Sequence, residues 1–538
     1  MIAVLDWRQG PNVTTDFVAD LNARIDASTP EERGWPRLRE GLTAWRGLVE
    51  PEPTFDAGIT DPIARSRMLS RLSTQAQGIL PSWTGMARAL DLDSEAIPED
   101  AVDAFFDSME PGRKLVLDAA GRPILGFEIA TGTASDPADR LFLGLPDPLP
   151  TASPTSGPNG PLLDSVISIQ LPFLNSVRAA ARVLDADARR AIVEGDGRRA
   201  VEDLGGVFGL GRLVRRPPFM ISQLVGFAID SLALSTIQDA LAVAPEAFTD
   251  EDLRVLLEVL ESMDDSSFVL DLSVERLTFL DIAQRIYTDD GDGDGRITFE
   301  GLATIGGLTG VGTATGTGAG SGGSLDGPAV ARFLLGPMVS RLMLSRAEAT
   351  RIWNQMFEGY EAAAAMPAWE VDRDELLRFD GRLIAEMTAG RTEMFRYFPI
   401  NLLLPTLDKA VLAGHALRAD RDLAAMIVAL ELERRSAGRW PATLPKASRA
   451  TDPFTGDLLH YALRDGRPTI WSVGIDRDDD GGRERVPARP GSRAARNAHR
   501  IGAFVKHWGR VDPTGEFDDP ANDGDLVIWR GEGAPQSP

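Results

Sequence analysis

The chain has no cysteine, which excludes disulfides, thiolate zinc sites and cysteine nucleophiles together. Histidine is nearly as scarce. His415, His460, His499 and His507 are the four present, and no two stand at a metal-ligand spacing. His415 falls on a helical pattern and His460 on a strand pattern, so both read as structural residues. Long apolar runs are missing as well. No stretch of about 18 apolar residues occurs and residues 1–8 are too short for a signal core, so the sequence points to a soluble chain. Basic residues are the minority: 56 Lys and Arg stand against 80 Asp and Glu, a net charge of −24. Such a surface repels phosphate backbones, and no nucleic-acid partner is expected. The basic runs at 212–216 and 483–500 are short and read as solvated surface. No Gly-x-Ser-x-Gly, P-loop or dinucleotide fingerprint lies in a strand–turn–helix context.

What is present is ordinary for a globular protein, with 43% hydrophobic and 25% charged residues. At 538 residues the chain exceeds the ~250–300 at which a single core stops growing, so two to four structural units are expected. Residues 1–150 mix helix and strand signals. Thr14-Thr15-Asp16 before Phe17, Val18 and Leu21 is a helix start, and Leu38, Leu42 and Leu48 suggest a second helix after Trp35-Pro36. Residues 113–117 and 124–129 around a turn at 118–121 predict a β-hairpin, and 146–161 read as a linker.

Residues 161–305 form a helical-hairpin region. Leu174, Val177, Ala181, Leu184, Ala188 and Ile192 make one amphipathic face, stopped by Gly195-Asp196. Val201, Leu204 and Phe208 begin a second helix closed by Pro217-Pro218, and Leu224, Phe227, Leu234 and Leu241 mark a third. Thr249, with Asp252 three residues on, caps a fourth carrying Leu253, Leu257 and Leu260. The glycine-rich stretch 205–211 lies inside a helical pattern and predicts close helix packing. Residues 306–327 are a Gly/Thr/Ser-rich flexible loop and 328–404 are helical. Residues 405–538 open with a long helix bearing Leu423, Ile427, Leu430 and Arg434. There the period changes to two: 458–463 and 469–473 flank Asp465-Gly466 as a hairpin, and 525–529 offer a third strand. The expected fold is therefore mainly α, as helical hairpins in a bundle or superhelix. It adds a small N-terminal β-hairpin region and a C-terminal α+β unit.

Residues 289–302 alternate aspartate with glycine after an amphipathic helix. Alternate carboxylates let three side chains converge on a hard cation that prefers oxygen ligands. With Asp290 at position 1, Asp292 and Asp294 fall at 3 and 5. Gly295 falls at the sharp turn, the Arg296 carbonyl at 7, apolar Ile297 at 8 and Thr298 at 9. This resembles an EF-hand loop over eleven of twelve positions, which implies calcium (Ca2+) as the cofactor. The departure is position 12, where Gly301 stands in place of a bidentate Glu and Glu300 lies one residue early. Losing that ligand places the affinity towards the ~10⁻⁴–10⁻³ M range of extracellular modules.

A second acidic run, Asp476-Arg-Asp478-Asp479-Asp480-Gly481-Gly482, follows Ile470-Trp-Ser-Val-Gly. Together with Leu430-Glu-Leu-Glu-Arg-Arg and Thr451-Asp-Pro-Phe-Thr-Gly-Asp, it is similar to the C-terminal half of type II secretion major pseudopilins. That resemblance implies a long helix, a short sheet and a calcium-holding loop at Asp476, Asp478 and Asp480, with Asp523 or Asp525 as contributors. The apolar assembly helix of pseudopilins is absent, so filament assembly does not carry over. The stretches at 21–36, 194–226 and 402–410 also resemble a family of uncharacterised exported proteins of planctomycete-type bacteria. Members carry an N-terminal membrane anchor, so the resemblance implies an extracytoplasmic, periplasmic or cell-surface place and a membrane link only through such an anchor. The helical pairs at 174–241 faintly resemble tetratricopeptide hairpins.

These readings favour a non-enzymatic, calcium-stabilised interaction or structural module with a protein partner. The alternatives are a hydrolase using paired carboxylates and a pseudopilus-associated component.

Overall fold

A computed structural model describes residues 13–46, 99–130, 135–143, 165–288, 295–298, 341–371, 407–444, 450–474, 478–483 and 526–530, with isolated positions between. The linker expected at 146–161, the glycine-rich loop at 306–327 and most of the basic run at 483–500 lie outside them. The described residues are mainly helical with one three-stranded antiparallel sheet.

The helices are α1 (Phe17–Asp26), α2 (Trp35–Arg46), α3 (Glu99–Ala120), α4 (Pro137–Leu143), α5 (Phe173–Glu194), α6 (Gly197–Val214), α7 (Met220–Val243), α8 (Asp250–Glu261), α9 (Ser273–Ile286), α10 (Arg346–Ala365) and α11 (Leu407–Ala437). Local chemistry sets many of their ends. Asp16 caps α1 by accepting the Val18 and Ala19 amides, each at 3.1 Å. Gly195 ends α5 in the left-handed region at φ 76°, where an L side chain is strained. The next residue, Asp196, restarts the chain as the N-cap of α6 by accepting the Arg199 amide at 3.0 Å. A two-residue connection of this kind folds α6 back along α5. Thr249–Asp252 and Ser345–Glu348 form reciprocal capping boxes at α8 and α10. The apolar face of α8 is Leu253, Leu256 and Leu260, one position off the expected Leu257.

The centre is built from α5, α6 and α7, with α3 on one side of α6 and α11 along α7. The glycines of α6 permit the close approach of α3: a Cβ at Gly209 would lie 2.5 Å from the Ala120 carbonyl, and one at Gly206 would collide with Leu117. α7 is long and apolar enough to cross a membrane, but most of it is buried within the protein. It also buries Ser222, Gln223, Asp230 and Gln238. Arg435 of α11 clamps the α7–α8 connection, donating to the Pro245 and Phe248 carbonyls at 2.7 and 2.8 Å. One continuous cluster of buried apolar side chains runs from Trp35 to Trp529.

The N-terminal hairpin expected at 113–129 is corrected. Residues 113–117 belong to α3, whose buried positions Phe106, Met109, Arg113, Val116 and Ala120 recur at three- and four-residue steps. The following segment makes only a single parallel bridge, Ile124 to Arg33. Apolar density in 115–117 suited a strand, but the surfaces of α2 and α6 select the helix.

The C-terminal sheet follows the expected hairpin. Strand β1 (His460–Arg464) pairs antiparallel with β2 (Arg467–Ser472), and β2 pairs with β3 (Leu526–Arg530). Asp465 and Gly466 both have positive φ, 53° and 77°, the two-residue turn whose twist matches paired strands. Trp440 and Trp529 meet edge to face at 6.1 Å, packing the sheet against the exit of α11.

Candidate functional site

Of the residues expected to hold calcium, Asp290, Asp292, Asp294 and Asp476 lie outside the described residues, while Arg296, Thr298, Asp478 and Asp480 lie within them. Both ends of the 289–294 segment are fixed. Tyr287, leaving α9, forms an antiparallel bridge with Ile297. The Thr288 amide donates to the Arg296 carbonyl at 2.9 Å, and the Thr298 amide donates to the Ile286 carbonyl at 2.8 Å. The Thr288 hydroxyl accepts the Arg296 amide at 2.9 Å. Tyr287 and Ile297 are fully buried, so the neck of the loop is anchored in the core. The exit is tied again where the Arg346 amide, at the start of α10, donates to the Gly295 carbonyl at 2.9 Å.

Gly295 is required for a different reason than the sharp turn expected of it. Its φ lies outside the left-handed region, and a Cβ there would run into the Thr288 carbonyl. The constraint is close approach across the neck. Ile297 finds its strand partner, Tyr287, within the same loop. The Arg296 carbonyl, expected as a ligand, accepts the Thr288 amide.

The second acidic loop is organised around Asp479. Its carboxylate accepts the Trp471 indole N–H at 3.1 Å and the Gly481 amide at 2.9 Å, and lies 3.2 Å from His460 Nδ1. The Trp471 hydrogen bond, helped by the Gly481 amide, holds that carboxyl below the usual carboxylate range. Asp480 pairs with Arg483 at 2.6 Å, and its second oxygen is buried without a hydrogen-bond partner. His460 stacks on Trp471 at 5.4 Å. Asp452, also buried, accepts the Phe454 and Val473 amides at 2.9 and 3.0 Å and ties the 451–459 turn to β2. Among the described residues no group of three or more Asp, Glu or His side chains is arranged to hold a metal ion.

The sequence did not reveal how much charge the helical body buries. Arg113 of α3 lies 2.7 Å from Asp203 and 3.2 Å from Asp187, while Arg199 reaches Asp187 at 2.7 Å and Glu110 at 2.9 Å. Burial, reinforced by the neighbouring Asp187 carboxylate, pushes the Asp203 carboxyl well up. This network braces α3, α5 and α6. Near the end of α6, Arg215 contacts Asp230 of α7, so the basic run at 212–216 is not uniformly solvated surface.

Polar side chains of α9 hold three other segments. Asp281 accepts the Val166 amide at 2.6 Å. Gln284 accepts the Thr14 and Thr15 amides at 3.1 and 3.2 Å, and Glu275 accepts the Met220 amide at 2.5 Å. The helix that enters the aspartate loop is thus a junction for the N-terminal segment, the lead into α5 and the start of α7. In sequence these three residues look like ordinary polar positions of an amphipathic helix.

Comparison with known proteins gives no match: no family model, no curated protein and no solved structure aligns with this chain.

Proposed function

We propose that this chain is a non-enzymatic, extracytoplasmic interaction or structural protein stabilised by calcium in the loop after α9. Asp290, Asp292 and Asp294 supply the carboxylates, and the Arg296 carbonyl and Thr298 complete the oxygen set. The observation that carries this reading is the closed neck. Hydrogen bonds of 2.9 Å (Thr288 to Arg296) and 2.8 Å (Thr298 to Ile286) fix side by side the two ends of a short segment bearing three alternating aspartates. Three carboxylates confined this way repel one another without a cation. With one, the exit of α9 is stabilised, and α9 is the helix that holds three other segments. Weak affinity suits a compartment where calcium is millimolar, which supports the extracytoplasmic reading. The partner on this reading is another protein, presented with a rigid helical body.

The test is a calorimetric titration of chelator-treated protein with calcium, beside an Asp290→Ala/Asp294→Ala variant. One site of Kd ~10⁻⁴–10⁻³ M is expected, and its loss in the variant. Silence of the wild-type protein at millimolar calcium would remove the basis of the reading.

A further inference from the structure

Between α3, α6, α7 and α8 lies a recess of about 500 Å³, within the ~300–1,000 Å³ of small-molecule sites. Its walls are largely apolar, with Leu117, Phe208, Val259 and Met263, and the charged side chains of Arg212, Arg215 and Asp230 stand in the same space. Gly205 keeps one wall open, since a Cβ there would meet no atom within 4 Å. Its neighbours Gly206 and Gly209 are instead consumed by the α3 contact. Arg215 is neutralised by Asp230 of α7. Glu202, at the edge of the recess, is shared between Arg113 at 3.3 Å and Arg198 at 3.6 Å.

Arg212 is different. Its Nη2 donates to the Ala120 and Arg122 carbonyls, each at 2.9 Å, and no carboxylate pairs with it among the described residues. Those carbonyls fix the guanidinium at the end of α3 but bring it no opposite charge, and its Nε and Nη1 have no protein partner among the described residues. Partial burial holds this group below its ordinary value, while the residue stays exposed enough for an incoming head group to reach it.

We propose that the recess binds a small amphiphile with a single anionic head group, the head on Arg212 and the apolar body against Leu117, Phe208, Val259 and Met263. The bound head group supplies the missing counter-charge through charge-assisted hydrogen bonds, and the apolar walls leave the water they now face. This site is independent of the aspartate loop and of calcium.

The probe is 1-anilinonaphthalene-8-sulfonate, an aromatic monoanion, titrated by fluorescence in chelator and competed with decanoate or decyl phosphate. The wild-type protein is expected to show one saturable site. Displacement by decanoate assigns a carboxylate head, and displacement by decyl phosphate a phosphate head. A Cβ at position 205 meets no atom within 4 Å, so Gly205→Leu projects into the open wall and should keep the melting temperature while abolishing probe binding. Arg212→Met should weaken binding about 10-fold or more. The proposal is overturned if the wild-type protein shows no saturable site, if neither competitor displaces the probe, or if either variant binds like the wild type.

Discussion

Glu275 brings a carboxyl into the contact between α9 and the start of α7, where one oxygen accepts the Met220 amide and the other is buried without a partner. Burial outweighs the amide hydrogen bonds and pushes this group up from 4.5 to about 7. A folded-state value raised above the unfolded one means that the native protein binds the proton more tightly. Its stabilising contribution is therefore fully present below the unfolded value and is lost as pH rises through about 7. Glu275→Gln keeps an acceptor for Met220 and cannot ionise. The variant should match the wild type near pH ~4 and exceed it at pH ~8, read as the difference between urea midpoints at the two pH values. A difference independent of pH would mean that Glu275 titrates alike in the folded and unfolded chain.

At the scale of elements, α6 sorts its glycines by what each faces. At Gly209 an added Cβ would lie 2.5 Å from the Ala120 carbonyl, whereas at Gly205 it would meet nothing within 4 Å. Gly209→Ala should cost about 1–3 kcal/mol, because α3 must move away. Gly205→Ala should stabilise by up to ~1 kcal/mol through helix propensity alone. Urea midpoints measure both, and equal effects would refute the packing account of this helix face. The same helix shows what a sequence discloses. Glycines inside an apolar helical period announce a close contact, and Asp465-Gly466 between alternating runs announces a hairpin, because both signals are local. Residues 113–117 misled for the opposite reason: Pro111 and Gly112 look like breakers, and only the surfaces of α2 and α6, distant in sequence, hold the segment helical. Arg113, Asp187, Asp203 and Arg215 were illegible for a related reason. A charged residue on the buried side of a helix is recognisable only once its partner, on another helix, is known.

For the whole molecule, the size of the calcium effect depends on what unfolds. A site of Kd ~10⁻³ M at ~10 mM calcium contributes about 1.4 kcal/mol by mass action. Unfolding all 538 residues together has an entropy near ~1.1 kcal/mol/K, so the melting temperature should rise by only about 1 °C. The same free energy is large beside a local opening of the loop neck, which unfolds far less of the chain. Hydrogen exchange should therefore report calcium where melting barely does. The amides of Thr288, Thr298 and Arg346, which close the neck and tie it to α10, should exchange about 10-fold more slowly with calcium than with chelator. Amides of the β1–β2 hairpin that exchange by local opening should not change, because that opening leaves the ion bound. Amides in the middle of α5 and α7, which open only with the whole fold, should slow by the same factor as the neck. Slowing of the hairpin amides as well would instead indicate that the sheet opens together with the loop neck. Unchanged exchange at these three amides, in protein shown by calorimetry to bind calcium, would place the ion away from the 288–298 neck.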